Sequence, residues 1–148
     1  MKKILMIGTG GTIASRATPG GLDPQMTLNE ILLYIPKVFE VCEVDTIQIY
    51  NIDSTNVSPN HWTLLVKTIQ ENYNKYDGFV ICHGTDTMAY TAAALSYMIQ
   101  NSVKPIILTG GQKPINLDVT DSKTNLFNSF LYASFEGAKG VQIVFDGK

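Results

Sequence analysis

Cysteine is scarce in this chain, and that excludes a fold held together by disulfides. Only Cys42 and Cys82 occur. Each sits in an apolar, strand-like run, which suits a buried free thiol and offers no metal spacing. Charge of one sign is lacking too: 11 Lys and Arg against 13 Asp and Glu leave a formal net charge of -2. The cations are scattered, so no electrostatic footprint for nucleic acid is expected. No apolar run reaches the ~20 residues of a membrane span. The first strand begins almost at Met1, with no signal-type apolar segment or small-residue cleavage site ahead of it, so the expected location is cytoplasmic. Internal repeats and low-complexity tracts are missing. What remains is 148 residues with 45% hydrophobic side chains, enough for one domain with a real core.

What the chain does have begins at its first residues. Ile4-Leu5-Met6-Ile7 is a continuous apolar run, as expected for a strand covered on both faces of a parallel sheet. It runs into Gly8-Thr9-Gly10-Gly11-Thr12. Glycines there let the backbone turn sharply and approach a ligand closely, because no Cβ intervenes. Thr12 falls just past the carboxyl end of the strand, the edge at which open α/β sheets bind ligands. The dinucleotide pattern fails, since Ile13 stands where the third glycine belongs, and no Gly-Lys-Ser/Thr follows for a P-loop. Taken alone, the stretch suits a tight structural turn as well as a site.

Residues 15–26 form a polar segment rich in Gly and Pro, expected as a loop. Its place directly after Thr12 favours a lid over a plain surface excursion. Thr27-Leu28-Asn29-Glu30 is a capping box, and Leu28, Ile31, Leu32 and Ile35 then share a helical face until Pro36. A strand is expected over residues 41–50, with Val44, Thr46, Gln48 and Tyr50 on one face and Asp45, Ile47 and Ile49 on the other. It opens into the small polar cluster of residues 51–56. Ser58-Pro59 starts a second helix, with Trp62, Leu65, Val66, Ile69 and Tyr73 as its apolar stripe. His61, on its first turn, reads as solvated or packed.

Residues 78–82 are a short apolar strand that breaks into His83-Gly84-Thr85-Asp86-Thr87. A third helix follows, with Met88, Ala92, Leu95 and Ile99 inward and the small run of residues 92–94 against the sheet. A strand over 104–108 ends in Thr109-Gly110-Gly111-Gln112; a helix over 121–135 and a strand over 141–145 complete the pattern. Single helices between strands predict an α/β fold: a doubly wound, mostly parallel sheet with helices on both faces, flavodoxin- or Rossmann-like.

Four strand-to-helix connections then carry short side-chain oxygens or glycine turns: residues 8–12, 53–55, 83–87 and 109–112. On a parallel sheet they share one edge. The result is a pocket of hydroxyls, one central carboxylate and backbone N–H groups, suited to a small zwitterion. A helix cap is the ordinary role for one of Thr85, Asp86 and Thr87, and three in succession exceed what one cap needs. His83 suits a general base or a hydrogen-bonded structural histidine, and no catalytic role is assigned to it.

Two longer motifs carry a family resemblance. Thr9-Gly10-Gly11-Thr12-Ile13-Ala14 and His83-Gly84-Thr85-Asp86-Thr87-Met88-Ala89 resemble the two signatures of the bacterial L-asparaginases, amidohydrolases with a threonine nucleophile. The stretch from Asp53-Ser54-Thr55 through Asp77-Gly78 to Ala92, Leu95 and Ser96 is most similar to the cytoplasmic, type I branch. The resemblance covers essentially the whole chain. It implies that Thr12 forms the acyl-enzyme and that Thr85 is the second catalytic threonine. Asp86 would hold the substrate α-amino group and join the catalytic hydrogen-bond network. Asp53, Ser54 and Thr55 would bind the α-carboxylate and α-amino end. The chemistry agrees, since an alcohol needs a base and an oxyanion donor to act near neutral pH. No cofactor or metal is implied. The implied partners are a small-molecule substrate, L-asparagine or L-glutamine, and further copies in a homo-oligomer of the full-length protein, with no nucleic acid and no membrane.

Two departures accompany the resemblance. The family's lysine beside the second threonine would come after Lys148, which lies too early to take that role. The family's lid usually carries a tyrosine after a glycine, whereas Leu22 follows Gly21 here. Residues 1–148 are therefore expected to be the N-terminal domain of such an enzyme, without the smaller C-terminal domain, and to fold with little activity alone. Two alternatives stay open: the amide-hydrolysing subunit of a tRNA-dependent amidotransferase, against which the missing extra N-terminal module counts, and a non-catalytic aspartate- or asparagine-binding module.

Overall fold

The computed structural model describes residues 1–23 and 26–148. Five strands form one parallel sheet: β1 (Lys3–Gly10), β4 (Glu43–Ile52), β5 (Gly78–Cys82), β6 (Pro105–Thr109) and β7 (Gly140–Ile143), in the order β4-β1-β5-β6-β7. Between them run α1 (Leu28–Leu32), α2 (Pro59–Asn72), α3 (Met88–Met98) and α4 (Ser122–Ala133). The doubly wound α/β fold expected from the sequence is therefore present.

The buried central strands explain the layering. Successive side chains of a strand point to opposite faces. Ile4, Met6, Val80, Cys82 and Ile107 accordingly join one core with residues of α1 and α4. Leu5, Ile7, Phe79, Ile81, Ile106 and Leu108 join the other with residues of α2 and α3. Every residue of β5 and β6 is buried. Cys42 and Cys82 are buried free thiols, as expected. Local signals also hold. Thr27 Oγ1 accepts the Glu30 N–H at 3.2 Å while the Glu30 carboxylate accepts the Thr27 N–H at 2.8 Å, closing the capping box at the start of α1. His61 accepts the Ser58 N–H on Nδ1 at 2.9 Å, a packed helix-start role.

Several expectations need correction. Within residues 15–26, the described part is a hairpin instead of a loop: β2 (Arg16–Thr18) pairs antiparallel with β3 (Gly21–Asp23) across Pro19-Gly20. Residues 24 and 25 of that segment lie outside the described residues. The strand placed at 41–50 runs two residues later, and its simple alternation breaks. Gly8 pairs with Gln48 but Gly10 with Ile52, an irregularity that turns both Ile49 and Tyr50 toward the α2/α3 core. Ile99 lies just past the end of α3, and Ala93 in the small run is exposed.

The strand order fixes where a ligand goes. The connection after β1 leads outward to β4, whereas the connection after β5 leads the other way to β6. The direction of winding therefore reverses between β1 and β5, and that crevice at the carboxyl ends is where such sheets bind ligands.

Candidate active site

The reversal point is occupied by glycines that let three loops touch. A Cβ on Gly11 would lie 2.7 Å from Cα and N of Gly84. A Cβ on Gly84 would lie 2.6 Å from Cβ of Ser54. Neither distance is compatible with a side chain unless backbone moves. Gly11 also has φ 89°, a region that favours glycine. Gly10 is held the same way, since its Cβ would meet Ile52 O at 2.5 Å. The residues that follow Gly11 and Gly84 in the chain are Thr12 and Thr85, so the two hydroxyl-bearing loops are locked side by side. Ser54 is tied to the same place: its carbonyl accepts the Thr87 hydroxyl at 2.7 Å and its Oγ the Thr87 N–H at 3.4 Å.

These loops enclose a cavity of about 250 Å³. Thr12, Thr85, Asp86, Asp53 and Ser54 all line it, with Gly11, Ser15, Leu22, Ile52, Gly84 and Gln112. Five of the six residues singled out from the sequence are thus brought together. Thr55 is not among the lining residues. Its N–H and hydroxyl both donate to Asp53 Oδ1, at 2.9 and 3.0 Å. Those two bonds hold the Asp53 carboxyl below its ordinary pKa, the backbone N–H contributing most. Among the described residues, Thr12, Thr85 and Asp86 make no side-chain hydrogen bond within the chain, leaving three polar groups free for a ligand. The lining, among the described residues, holds two carboxylates and no Lys, Arg or His. A ligand that brings its own cation suits that balance. The size suits a single amino acid, since drug-sized ligands fill larger cavities.

The expected helix cap is absent. Thr87 occupies the N-cap position of α3 without a side-chain cap bond, because its hydroxyl is used on Ser54 O. His83 proves structural in its bonding. It is 1% exposed. Its Nδ1 bonds the Gly84 carbonyl at 2.6 Å and its Nε2 the Thr91 hydroxyl, at 2.9 Å, which also takes the Trp62 indole N–H at 3.0 Å. A carbonyl only accepts, so Nδ1 carries the proton and Nε2 accepts from Thr91. Burial lowers the His83 pKa, and the Gly84 carbonyl opposes that in part. His83 thus fixes the peptide that precedes Thr85. Sequence reasoning missed this relay, because Trp62 and Thr91 read as stripe and helix residues. It also missed the packing of Gly84 against Gly11 and Ser54.

Among the described residues, no group of His, Cys, Asp and Glu is placed to hold a metal ion, and no helix is long and apolar enough to cross a membrane. A family model described as "Asparaginase, N-terminal" matches residues 3–148. The chain belongs to the asparaginase family. It is 39% identical to an L-asparaginase of Thermococcus kodakarensis over 99% of this chain and 44% of that protein. It is also 39% identical to a glutamyl-tRNA(Gln) amidotransferase subunit of Pyrococcus abyssi, over 100% of this chain and 34% of that one. Among solved structures, L-asparaginase I of Vibrio cholerae superposes with a TM-score of 0.90 at 36% identity, covering 98% of this chain and 44% of that chain. A probable cytoplasmic L-asparaginase of Campylobacter jejuni gives 0.87 at 31% identity, covering 99% and 45%. The chain thus spans less than half the length of these asparaginase-family relatives.

Proposed function

We propose that this domain binds L-asparagine and supplies the nucleophile for hydrolysis of its side-chain amide to L-aspartate and ammonia. One observation carries the reading: among the described residues, two unpaired threonine hydroxyls, Thr12 and Thr85, share a small cavity with the carboxylates Asp53 and Asp86 and with no cation. The substrate ammonium goes to the carboxylates. Ser54, buried beside Gly84, adds a hydroxyl for the amino-acid end. The side-chain carbonyl then reaches Thr12. Thr12 Oγ1 attacks that carbon, the C–N bond breaks and ammonia leaves with the proton it needs. Water then cleaves the ester and restores Thr12. Backbone N–H groups of the turn at Gly10 and Gly11, beside Thr12, would serve as oxyanion donors. Thr85 faces the amide from the neighbouring loop. The family lysine that stands beside the second threonine is expected beyond residue 148, in a larger homo-oligomeric, cytoplasmic enzyme of which residues 1–148 would be the N-terminal domain.

Calorimetry with L-aspartate tests the site. Binding by the unaltered domain, reduced at least tenfold by Asp86→Asn and by Ser54→Ala, supports it; no binding counts against it. In the protein that carries this domain, Thr12→Val should lower ammonia release at least about a thousandfold. Binding that survives with no release in that protein favours a non-catalytic binding module. The equal identity to the amidotransferase subunit supports a second reading, in which the same chemistry delivers ammonia to a partner enzyme. Efficient release from free L-asparagine without any partner decides for the first.

A further inference from the structure

We infer that Gln112 is a specificity residue of this pocket, pairing its carboxamide with the side-chain amide of the substrate. The inference rests on the reading above and adds a residue and a direction to it. Direction comes from the sheet. Ser54 follows β4, Thr12 follows β1, Thr85 and Asp86 follow β5, and Gln112 follows β6. Ser54 and Gln112 therefore stand at opposite ends of the cavity, with neighbouring strands about 4.8 Å apart. Of the two lining carboxylates, Asp53 lies on the β4 loop at the end opposite Gln112, and an ammonium seated toward Asp53 leaves the other end of the substrate free to reach Gln112. The side-chain end of an amino acid bound across Thr12 and Thr85 then points to the β6 loop.

That loop holds the Gln112 backbone in place and leaves its side chain free. The Asp121 carboxylate accepts the Gln112 N–H at 2.9 and 3.0 Å and the Lys113 N–H at 3.0 Å. Buried Asn125 donates to the Gly110 carbonyl at 3.0 Å. Gly111 is so close to Ser122 that any Cβ there would collide with its Oγ. The backbone is pinned on three sides, yet the Gln112 side chain makes no hydrogen bond among the described residues and lines the cavity. A carboxamide carries both a donor and an acceptor, and the amide of asparagine presents the complementary pair. The carboxylate of aspartate offers no donor, so the Gln112 carbonyl loses its partner once hydrolysis is complete. Gln112 thereby favours substrate over product.

The test measures L-asparagine and L-aspartate binding by calorimetry in a Thr12→Val background, which keeps the shape and prevents turnover. Gln112→Glu places a carboxylate against the product and should weaken aspartate at least tenfold more than asparagine. Gln112→Ala should shift the ratio the opposite way, weakening asparagine about fivefold and aspartate less, as expected for one net hydrogen bond. Opposite shifts from the two variants support the role. If both ligands weaken equally, or neither weakens, in either folded variant, Gln112 has no such role while the proposed site stands. If the background protein binds neither ligand, the proposed site and the role of Gln112 fall together.

Discussion

His83 shows how a single buried side chain can serve the pocket without entering it. Its neutral ring bridges the Gly84 carbonyl and Thr91, so protonation would remove the acceptor that Thr91 uses. Burial depresses its pKa below the ordinary value of 6.5. The unfolded chain then binds a proton that the folded chain refuses, and stability is lost as pH falls below about 6.5 toward the folded pKa. Urea unfolding at pH 7.5 and 5.5 should show this loss, and His83→Gln should remove that component of it. Thr91→Val leaves the Trp62 indole and His83 Nε2 without partners and should cost about 1–3 kcal/mol in the same measurement. Asp53 acts in the same sense over a more acidic range. Its carboxyl is held down by Thr55, so its contribution is present above about pH 3.9 and fades as pH falls through the lowered value. A carbon-detected NMR titration should place Asp53 below ordinary aspartates, and Thr55→Val should raise its midpoint.

At the scale of elements, glycine contacts assemble the site. Gly84→Ala would drive a Cβ into Ser54, and Gly11→Ala would meet Gly84 from a φ that alanine resists. Both should destabilise the fold by about 1–3 kcal/mol, seen as a lowered denaturation midpoint, and both should weaken aspartate binding. Thr12→Val should leave that midpoint within about 0.5 kcal/mol, because the Thr12 hydroxyl bonds nothing within the described chain. The elements differ in how openly the sequence announced them. β1, β5 and β6 are unbroken apolar runs buried on both sides, and such runs leave one reading. The hairpin of β2 and β3 was harder to see. Each strand is three residues long and mostly exposed, so no apolar alternation marks it, and Pro19-Gly20 alone signalled the turn. β4 shows a different limit. Its period of two was visible, but the shift opposite Gly8 and Gly10 is a property of the pair, and no single strand displays it.

For the molecule as a whole, the order β4-β1-β5-β6-β7 turns four separated segments into one rim. The segments 8–12, 53–55 and 83–87 were legible as one rim because each follows a strand expected to run parallel to its neighbours, and the family resemblance singled out Thr12, Asp53, Ser54, Thr85 and Asp86 within them. Thr55 followed a strand too, yet its hydroxyl turns back to Asp53, and only the local turn geometry determines that. Gln112 was legible as a position and not as a ligand contact, since the Asp121 clamp is formed across the loop. The central claim is that Thr12 and Thr85 face one small amide at this rim. A crystal structure of the domain soaked with L-aspartate tests it most directly. The predicted result is a side-chain carboxylate within about 3.2 Å of both hydroxyl oxygens, with the ammonium between Asp53 and Asp86. Aspartate bound elsewhere, or seated with only one of the two threonines within reach, would contradict it.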